Sequence, residues 1–359
     1  MKKIFSVVCV LIMLFQVFSV YSFAESELDI SAKSAVIICA ETGEVVYSKN
    51  MNDRLPMAST TKIMTAILAL EYGADDQYRT VSGDMIAVEG SSMGLKDGDS
   101  VSLKTLVKGM LLKSGNDAAN AVANIVGGDI SAFVKMMNQK ATEIGMYSTS
   151  FATPSGLDGD NHYSTAFDMA ILGAYAIRNP EFRSICSTDT MVVCYGSPPY
   201  RRTLTNHNKF LSMYDGAFGI KTGFTKKSGR CLVSAVKKGG KTLVAVTLNA
   251  PDDWDDHIKM YNYAFEMVRA IKLSTNTENV VLNVVGGTKD KVAIAVENVP
   301  EIATIEKDFL YESEIFIKHF EYAPITKGEV VGKIIFYSNG VKISETNLIT
   351  TEEVLCVEN

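Results

Sequence analysis

Two textures of hydrophobic patterning divide the chain. Up to about Ile271, short apolar runs alternate with stretches of helical period. From Val280 to Thr350 the runs are short, β-branched and separated by Gly, Pro, Asn or Lys, with no long helical period. The first run, Ala35–Ala40, the turn Glu41–Glu44 and the second run, Val45–Tyr47, predict a β-hairpin. Pro56 then opens a helical pattern over Met57–Leu70, and further helical patterns cover Leu103–Lys113, Asp117–Val126, Ala132–Ile144 and Thr165–Ile177. Phe151–Tyr163 carries Pro154, Gly156, Gly159, Asp158, Asp160 and Asn161, the composition of a loop. Cys231–Val236 and Thr242–Leu248 read as buried strands joined by the turn Lys237–Lys241, and Trp254–Ile271 reads as a last helix. The polar bridge Ser274-Thr275-Asn276-Thr277 separates this part from the later stretch, which reads as a small all-β domain. The expected division is therefore 1–24, 25–273 and 277–359, consistent with 359 residues and roughly 150 per domain.

The first of these segments is a leader. Lys2 and Lys3 precede the apolar run Ile4–Val20, and Ser22-Phe23-Ala24 forms a small-x-small site, so export and cleavage after Ala24 are expected. Gln16 and Ser19 weaken the run as a permanent span, so membrane contact is expected only if it stays uncut. Removing it takes away two lysines and no acid, and the net charge of −6 becomes −8. That balance speaks against nucleic acid as a partner. There are four histidines, no HExxH and no CxxC, so neither a metal nor another cofactor is expected. Beyond the leader stand Cys39, Cys186, Cys194, Cys231 and Cys356. A Cys186–Cys194 pair and buried free thiols are both compatible with the spacing.

Three short motifs carry candidate chemistry. Ser59-Thr60-Thr61-Lys62 starts the first long helix, where positions three apart share a face and a hydroxyl can meet an amine. A serine is a weak nucleophile until a base takes its proton, and a lysine made neutral by burial or a neighbouring cation can do so. The second Ser-x-x-Lys, Ser234–Lys237, lies on a predicted strand, where positions three apart point to opposite faces. Ser114-Gly115-Asn116 sits between two helices, where a hydroxyl and an amide can face a cleft or cap a helix. Lys221-Thr222-Gly223 could lower the first lysine's pKa and bind a carboxylate, or form a plain turn.

In this order the three motifs resemble those of penicillin-binding proteins and serine β-lactamases. The segment Arg54–Ala66 is similar to the nucleophile segment of low-molecular-weight D-alanyl-D-alanine carboxypeptidases. Ser114–Ala119, Phe151–Leu157 with Ala166–Ala170, Asn206–Asn208 and Asp215–Thr225 resemble further segments of that family, and Lys327–Gly332 its C-terminal β domain. The resemblance implies an α/β (α+β) catalytic domain of the serine β-lactamase/DD-transpeptidase type. Its antiparallel sheet is flanked by helices, and a small all-β domain follows. It implies Ser59 as nucleophile, Lys62 as base and Ser114 as proton relay. Asn116 would hold the substrate amide, Lys221 and Thr222 the terminal carboxylate, and the backbone N–H groups of Ser59 and Phe224 the oxyanion. The implied partners are peptidoglycan stem peptides ending in D-Ala-D-Ala, and β-lactams, outside the cytoplasmic membrane.

Two rival readings use the same motifs. A class A β-lactamase is a single domain with a glutamate between the second and third motifs, whereas Phe151–Tyr163 has no glutamate and a β domain follows. A catalytically silent penicillin-binding module would not need Ser59, Lys62, Ser114, Asn116 and Lys221 all intact. Two departures from the family stand out. Some relatives carry an arginine shortly after the strand that follows the third motif, where this chain has Asp252-Asp253-Trp254-Asp255-Asp256-His257. The short acidic tail Thr350–Asn359 also lacks the basic amphipathic pattern of a membrane-lying helix.

Overall fold

A computed structural model describes residues 28–277 and 280–357, so the expected leader and cleavage site lie outside the described residues. The main sheet has five strands: β1 (Ser34–Cys39), β2 (Val45–Lys49), β3 (Ala217–Thr225), β4 (Gly229–Lys238) and β5 (Lys241–Leu248). They are antiparallel in the order β2-β1-β5-β4-β3, which leaves β3 at one edge. The unbroken apolar runs of β1 and β5 follow from burial on both faces. Val36 and Ile38 of β1, with Val244 and Val246 of β5, point into one core. Their neighbours Ala35, Ile37, Leu243 and Ala245 point into another.

The larger core is covered by helices: α1 (Lys62–Glu71), α2 (Leu103–Lys113), α3 (Asn116–Gly127), α4 (Ile130–Glu143), α5 (Ala166–Ala176) and α6 (Pro180–Cys186). Side-chain caps start four of these helices: Ser102 accepts from Thr105 N–H, Asp129 from Ala132 N–H, Thr165 from Asp168 N–H and Asn179 from the N–H groups of Glu181 and Phe182. The smaller core lies under α7 (Asp253–Met267), with Phe210, Tyr214, Tyr261 and Phe265 in stacked or tilted ring contacts. The four-stranded sheet Tyr78–Thr80, Ser100–Ser102, Thr190–Gly196 and Pro199–Thr205 flanks the helical part.

The predicted hairpin, strands and central helices are present with ends shifted by a few residues. Two elements differ. The pattern over Met57–Leu70 is a 3₁₀ turn, Ala58–Thr61, running into α1. Ala58 adopts φ +47°, a left-handed value that no α-helix contains. The last helix stops at Met267, because Lys241 Nζ donates to the carbonyls of Phe265 and Val268 (3.0 and 3.3 Å). Arg269–Lys272 is instead a strand, paired antiparallel with Glu301–Thr304. Cys39, Cys186, Cys194, Cys231 and Cys356 are all free thiols, so the Cys186–Cys194 pair does not form.

Beyond Leu273 lies the expected all-β part, a six-stranded sheet with its own core of Leu282, Val292, Ile334, Phe336 and Leu348. Strand Glu301–Thr304 is shared: Ile302 enters this core, whereas Ala303 is buried with α7 and β5. Thr304 Oγ1 also donates to Glu44 of the β1–β2 hairpin (3.0 Å). Among the described residues no helix is long and apolar enough to cross a membrane. A fragment of residues 25–273 is expected to fold, because among the described residues Ala303 is the sole later residue in its two cores. It should melt several degrees lower, since Arg269–Lys272 loses its partner strand. A circular-dichroism melt checks this, and absence of a cooperative transition would mean that the two parts form one folding unit.

Candidate active site

The three motifs converge on one cleft of about 340 Å³ between β3, the helical part and the start of α7. Ser59, Ser91, Ser114, His207, Thr222 and Phe224 line it. Ser59 stands half-buried on the 3₁₀ turn, and the left-handed Ala58 just before it stores strain at this position. Lys62, the first residue of α1, has no exposed surface. Its Nζ lies 2.9 Å from Ser59 Oγ, 2.7 Å from Asn116 Oδ1 and 2.5 Å from the carbonyl oxygen of Ser155.

The electrostatics of this lysine follow from its surroundings. Burial, with the Lys221 charge nearby, holds its pKa well below the usual lysine value, against a smaller opposing pull from Asp117. A neutral amine has two N–H donors and one lone pair. Asn116 Oδ1 and Ser155 O can only accept, so they take the two N–H donors. The lone pair is then left for the hydroxyl proton of Ser59.

Several neighbours hold that arrangement. Asn116 Nδ2 donates to Glu89 O (2.6 Å), so both ends of its amide are fixed. Asp117, almost fully buried, accepts from Ser92 Oγ and from the backbone N–H groups of Met93, Gly94 and Leu95. It thereby anchors the loop that places Ser91 in the cleft. His162 accepts from Ala152 N–H at Nδ1 (3.0 Å), so its proton sits on Nε2 and donates to Thr61 Oγ1 (2.9 Å). Burial keeps this imidazole neutral, with its pKa lowered to about 4. Ser114 caps α2 in the left-handed conformation (φ +57°), a bend that turns the chain from α2 into α3 beside the cleft.

The third motif lies on β3, not in a turn. Arg230 of β4 is opposite Phe224, and its carbonyl accepts from Ala250 N–H on the far side of β4 (2.9 Å). Both backbone groups of an antiparallel residue point to the same neighbour, so Arg230 and Phe224 are not a hydrogen-bonded pair. The N–H of Phe224 therefore points off the open edge. A side chain at Gly223 would come within 3.1 Å of Ser59 N, so glycine there lets β3 lie against the nucleophile's backbone. Lys221 is 1% exposed, donates to Thr222 O (2.9 Å), and has its pKa lowered by burial to about 7. Ser234, from the rejected second motif, is buried on β4 against His257 and Tyr261 (2.7 and 2.9 Å), and Lys237 is exposed.

Known proteins share this design. The sequence profile of D-alanyl-D-alanine carboxypeptidases matches residues 21–252, and that of the penicillin-binding protein 5 C-terminal domain matches residues 271–355. The chain belongs to the D-alanyl-D-alanine carboxypeptidase family and is a serine hydrolase of that family. D-alanyl-D-alanine carboxypeptidase DacF of Bacillus subtilis (strain 168) is 33% identical to it, over 99% of this chain and 95% of its own. DacC of Escherichia coli (strain K12) is 31% identical over 90% and 84%. Among solved structures, penicillin binding protein 5 from Haemophilus influenzae covers 91% of this chain and 98% of its own at 27% identity and a TM-score of 0.64. The Streptomyces K15 DD-transpeptidase covers 66% and 98% at 31% identity and a TM-score of 0.63. The expected class of fold, an antiparallel sheet with helices and a C-terminal all-β part, is the one shared with these proteins.

Ser59, Lys62, Ser114, Asn116, Lys221, Thr222 and Phe224 thus all stand in or beside one cleft. Ser155, Asp117, His162 and Arg230 were not found from sequence. Their parts depend on a carbonyl, a loop anchor, a tautomer and a cross-strand register, none of which leaves a spacing signal. Gly156 is the most sensitive of the neighbours. It has φ +86°, and a Cβ there would lie 2.0 Å from Ala58 O. Gly156→Ala is expected to displace the Ser59 turn and slow acylation by benzylpenicillin at least 100-fold, a ~3 kcal/mol effect on the barrier. Stopped-flow labelling measures it, and a rate within threefold of the parent would show that the loop does not set the nucleophile's position.

Proposed function

We propose that this chain acts outside the cytoplasmic membrane, removing the terminal D-alanine from peptidoglycan stem peptides ending in D-Ala-D-Ala through an acyl-enzyme on Ser59. The observation that carries the reading is the buried amine of Lys62, whose two carbonyl acceptors leave its lone pair for Ser59. Lys62 takes the hydroxyl proton as Ser59 Oγ attacks the penultimate carbonyl carbon. The N–H groups of Ser59 and Phe224 receive the negative charge on the carbonyl oxygen, each worth ~3 kcal/mol in the transition state. Ser114 passes a proton to the departing amine, and D-alanine leaves. Asn116 holds Lys62 and, with its remaining N–H, the substrate amide. Thr222 binds the terminal carboxylate from β3, and the buried Lys221 contributes positive charge behind it. Water then adds to the acyl carbon and frees the shortened stem. A β-lactam presents the same carbonyl and carboxylate and acylates the same serine.

The nucleophile assignment has a direct check. Ser59→Ala is expected to abolish both D-alanine release from N-acyl-Lys-D-Ala-D-Ala and covalent labelling by benzylpenicillin. Peptide mass spectrometry of the parent protein should place the penicilloyl group on Ser59. An adduct on any other residue refutes the assignment. Rapid penicilloate release without D-alanine release would instead mark a β-lactamase.

The two lysines predict a pH dependence. Acylation needs neutral Lys62, so its rate falls on the acid side as that amine is protonated. Below about pH 7 Lys221 is charged and repels a proton from Lys62. Lys221→Met removes this repulsion, raises the Lys62 pKa and moves the acid limb to higher pH. The pH profile of penicillin acylation tests the sign, and an unmoved limb or one moved to lower pH would contradict it. Lys62→Arg should cost far more activity than Lys221→Arg, because arginine cannot give up its proton.

A further inference from the structure

Resting on the proposed reaction, a question of charge remains at the carboxylate end of the cleft. Lys221 does not line the cleft, is 1% exposed, and spends its amine on Thr222 O. Cations that do face the cleft are Lys209, on an exposed turn, and Arg230. Arg230 differs in how it is held. Its Nε and Nη2 donate to Asp253 Oδ1 at 2.9 and 2.5 Å, and its guanidinium lies 5.3 Å from the centre of the Trp254 ring. The Asp253 side chain is 3% exposed, whereas that of Arg230 is 40% exposed. The acid is thus committed to this pair, and the arginine keeps an open side.

Register places that open side. Phe224 and Arg230 are directly opposite, so they project to the same face of the sheet, and Thr222 projects with them two residues along β3. Asp253 and Trp254, at the start of α7, line the same cleft. A guanidinium has five N–H donors, and two are used on Asp253. The rest suit a planar carboxylate, which takes parallel N–H bonds from arginine.

We propose that Arg230, braced by Asp253 and Trp254, is the specificity-determining cation that binds the terminal carboxylate of the substrate together with Thr222. It supplies from β4 the charge that the Asp252–His257 segment lacks. Lys221 then serves chiefly to keep Lys62 neutral. Asp253 is a positioning residue that acts through the arginine.

The test compares probes that share the nucleophile but not the carboxylate. Arg230→Ala is expected to lower the second-order acylation rate of benzylpenicillin, and kcat/KM for N-acyl-Lys-D-Ala-D-Ala, roughly 30- to 100-fold. Arg230→Lys should recover part of this loss. An acylaminomethylboronic acid, which bonds Ser59 Oγ and has no carboxylate, should bind Arg230→Ala within twofold of the parent. Asp253→Asn should show the same pattern at smaller size. An equal loss on the boronate would mean a purely structural role and overturn the proposal, as would no loss on the two carboxylate probes. A parent protein that forms no penicilloyl adduct on Ser59 would instead remove the reaction on which the proposal rests.

Discussion

Lys62 has no exposed surface, and the other parts of the site are arranged around that fact. A charged amine fully removed from water costs several kcal/mol unless it is paired. Among the described residues its hydrogen-bond partners are Asn116 Oδ1, Ser155 O and Ser59 Oγ, none of them a carboxylate. The neutral form is therefore the stable one, and its lone pair has one hydroxyl to meet. Asp117 is the nearby acid that acts on Lys62, yet its oxygens are occupied by Ser92 and four backbone N–H groups, those of Met93, Gly94, Leu95 and Ala118. Its charge is spent on holding a loop rather than on protonating the base.

The same economy of space governs the approach of the surrounding chain. The nucleophile's turn is pressed from two sides by positions without side chains. Gly156 lies under Ala58 O, and Gly223 lies against Ser59 N. Both contacts are made by backbone that cannot swing aside, so each fixes where Ser59 can stand. The open edge of β3 completes the arrangement, because an edge strand has N–H groups that the sheet does not use. Phe224 contributes one of them, one residue beyond the Gly223 that lies against Ser59 N.

The sheet is what lets one site draw on both of its faces. Alternate residues of β1 and β5 enter different cores, and alternate residues of β3 do different work. Lys221 and Gly223 face the nucleophile, while Thr222 and Phe224 share a face with Arg230 and the start of α7. The strand Glu301–Thr304 ties the C-terminal β part to this body, placing Ile302 in one core and Ala303 in another. That shared strand explains why Arg269–Lys272 extends rather than continuing α7. Its backbone finds a partner strand, which a further helical turn would not provide.

Much was legible from the sequence because local patterns are physical constraints in themselves. Apolar runs marked β1 and β5, helical periods marked the central helices, and the motifs at Ser59, Ser114 and Lys221 marked the site. The change of texture near Ser274 marked the β part. Tertiary structure alone decided the rest. The left-handed Ala58 turned an expected helical turn into a 3₁₀ one, since packing against Gly156 sets its backbone. Lys221-Thr222-Gly223, which a sequence reading leaves open between turn and site, became edge strand through pairing with β4. Ser155, Asp117, His162 and Arg230 took their parts from contacts spanning from about ten to nearly a hundred positions. Spacing reports which residues share a local face. Which carbonyl caps a buried amine, and which arginine stands across a strand, depends on how distant segments pack.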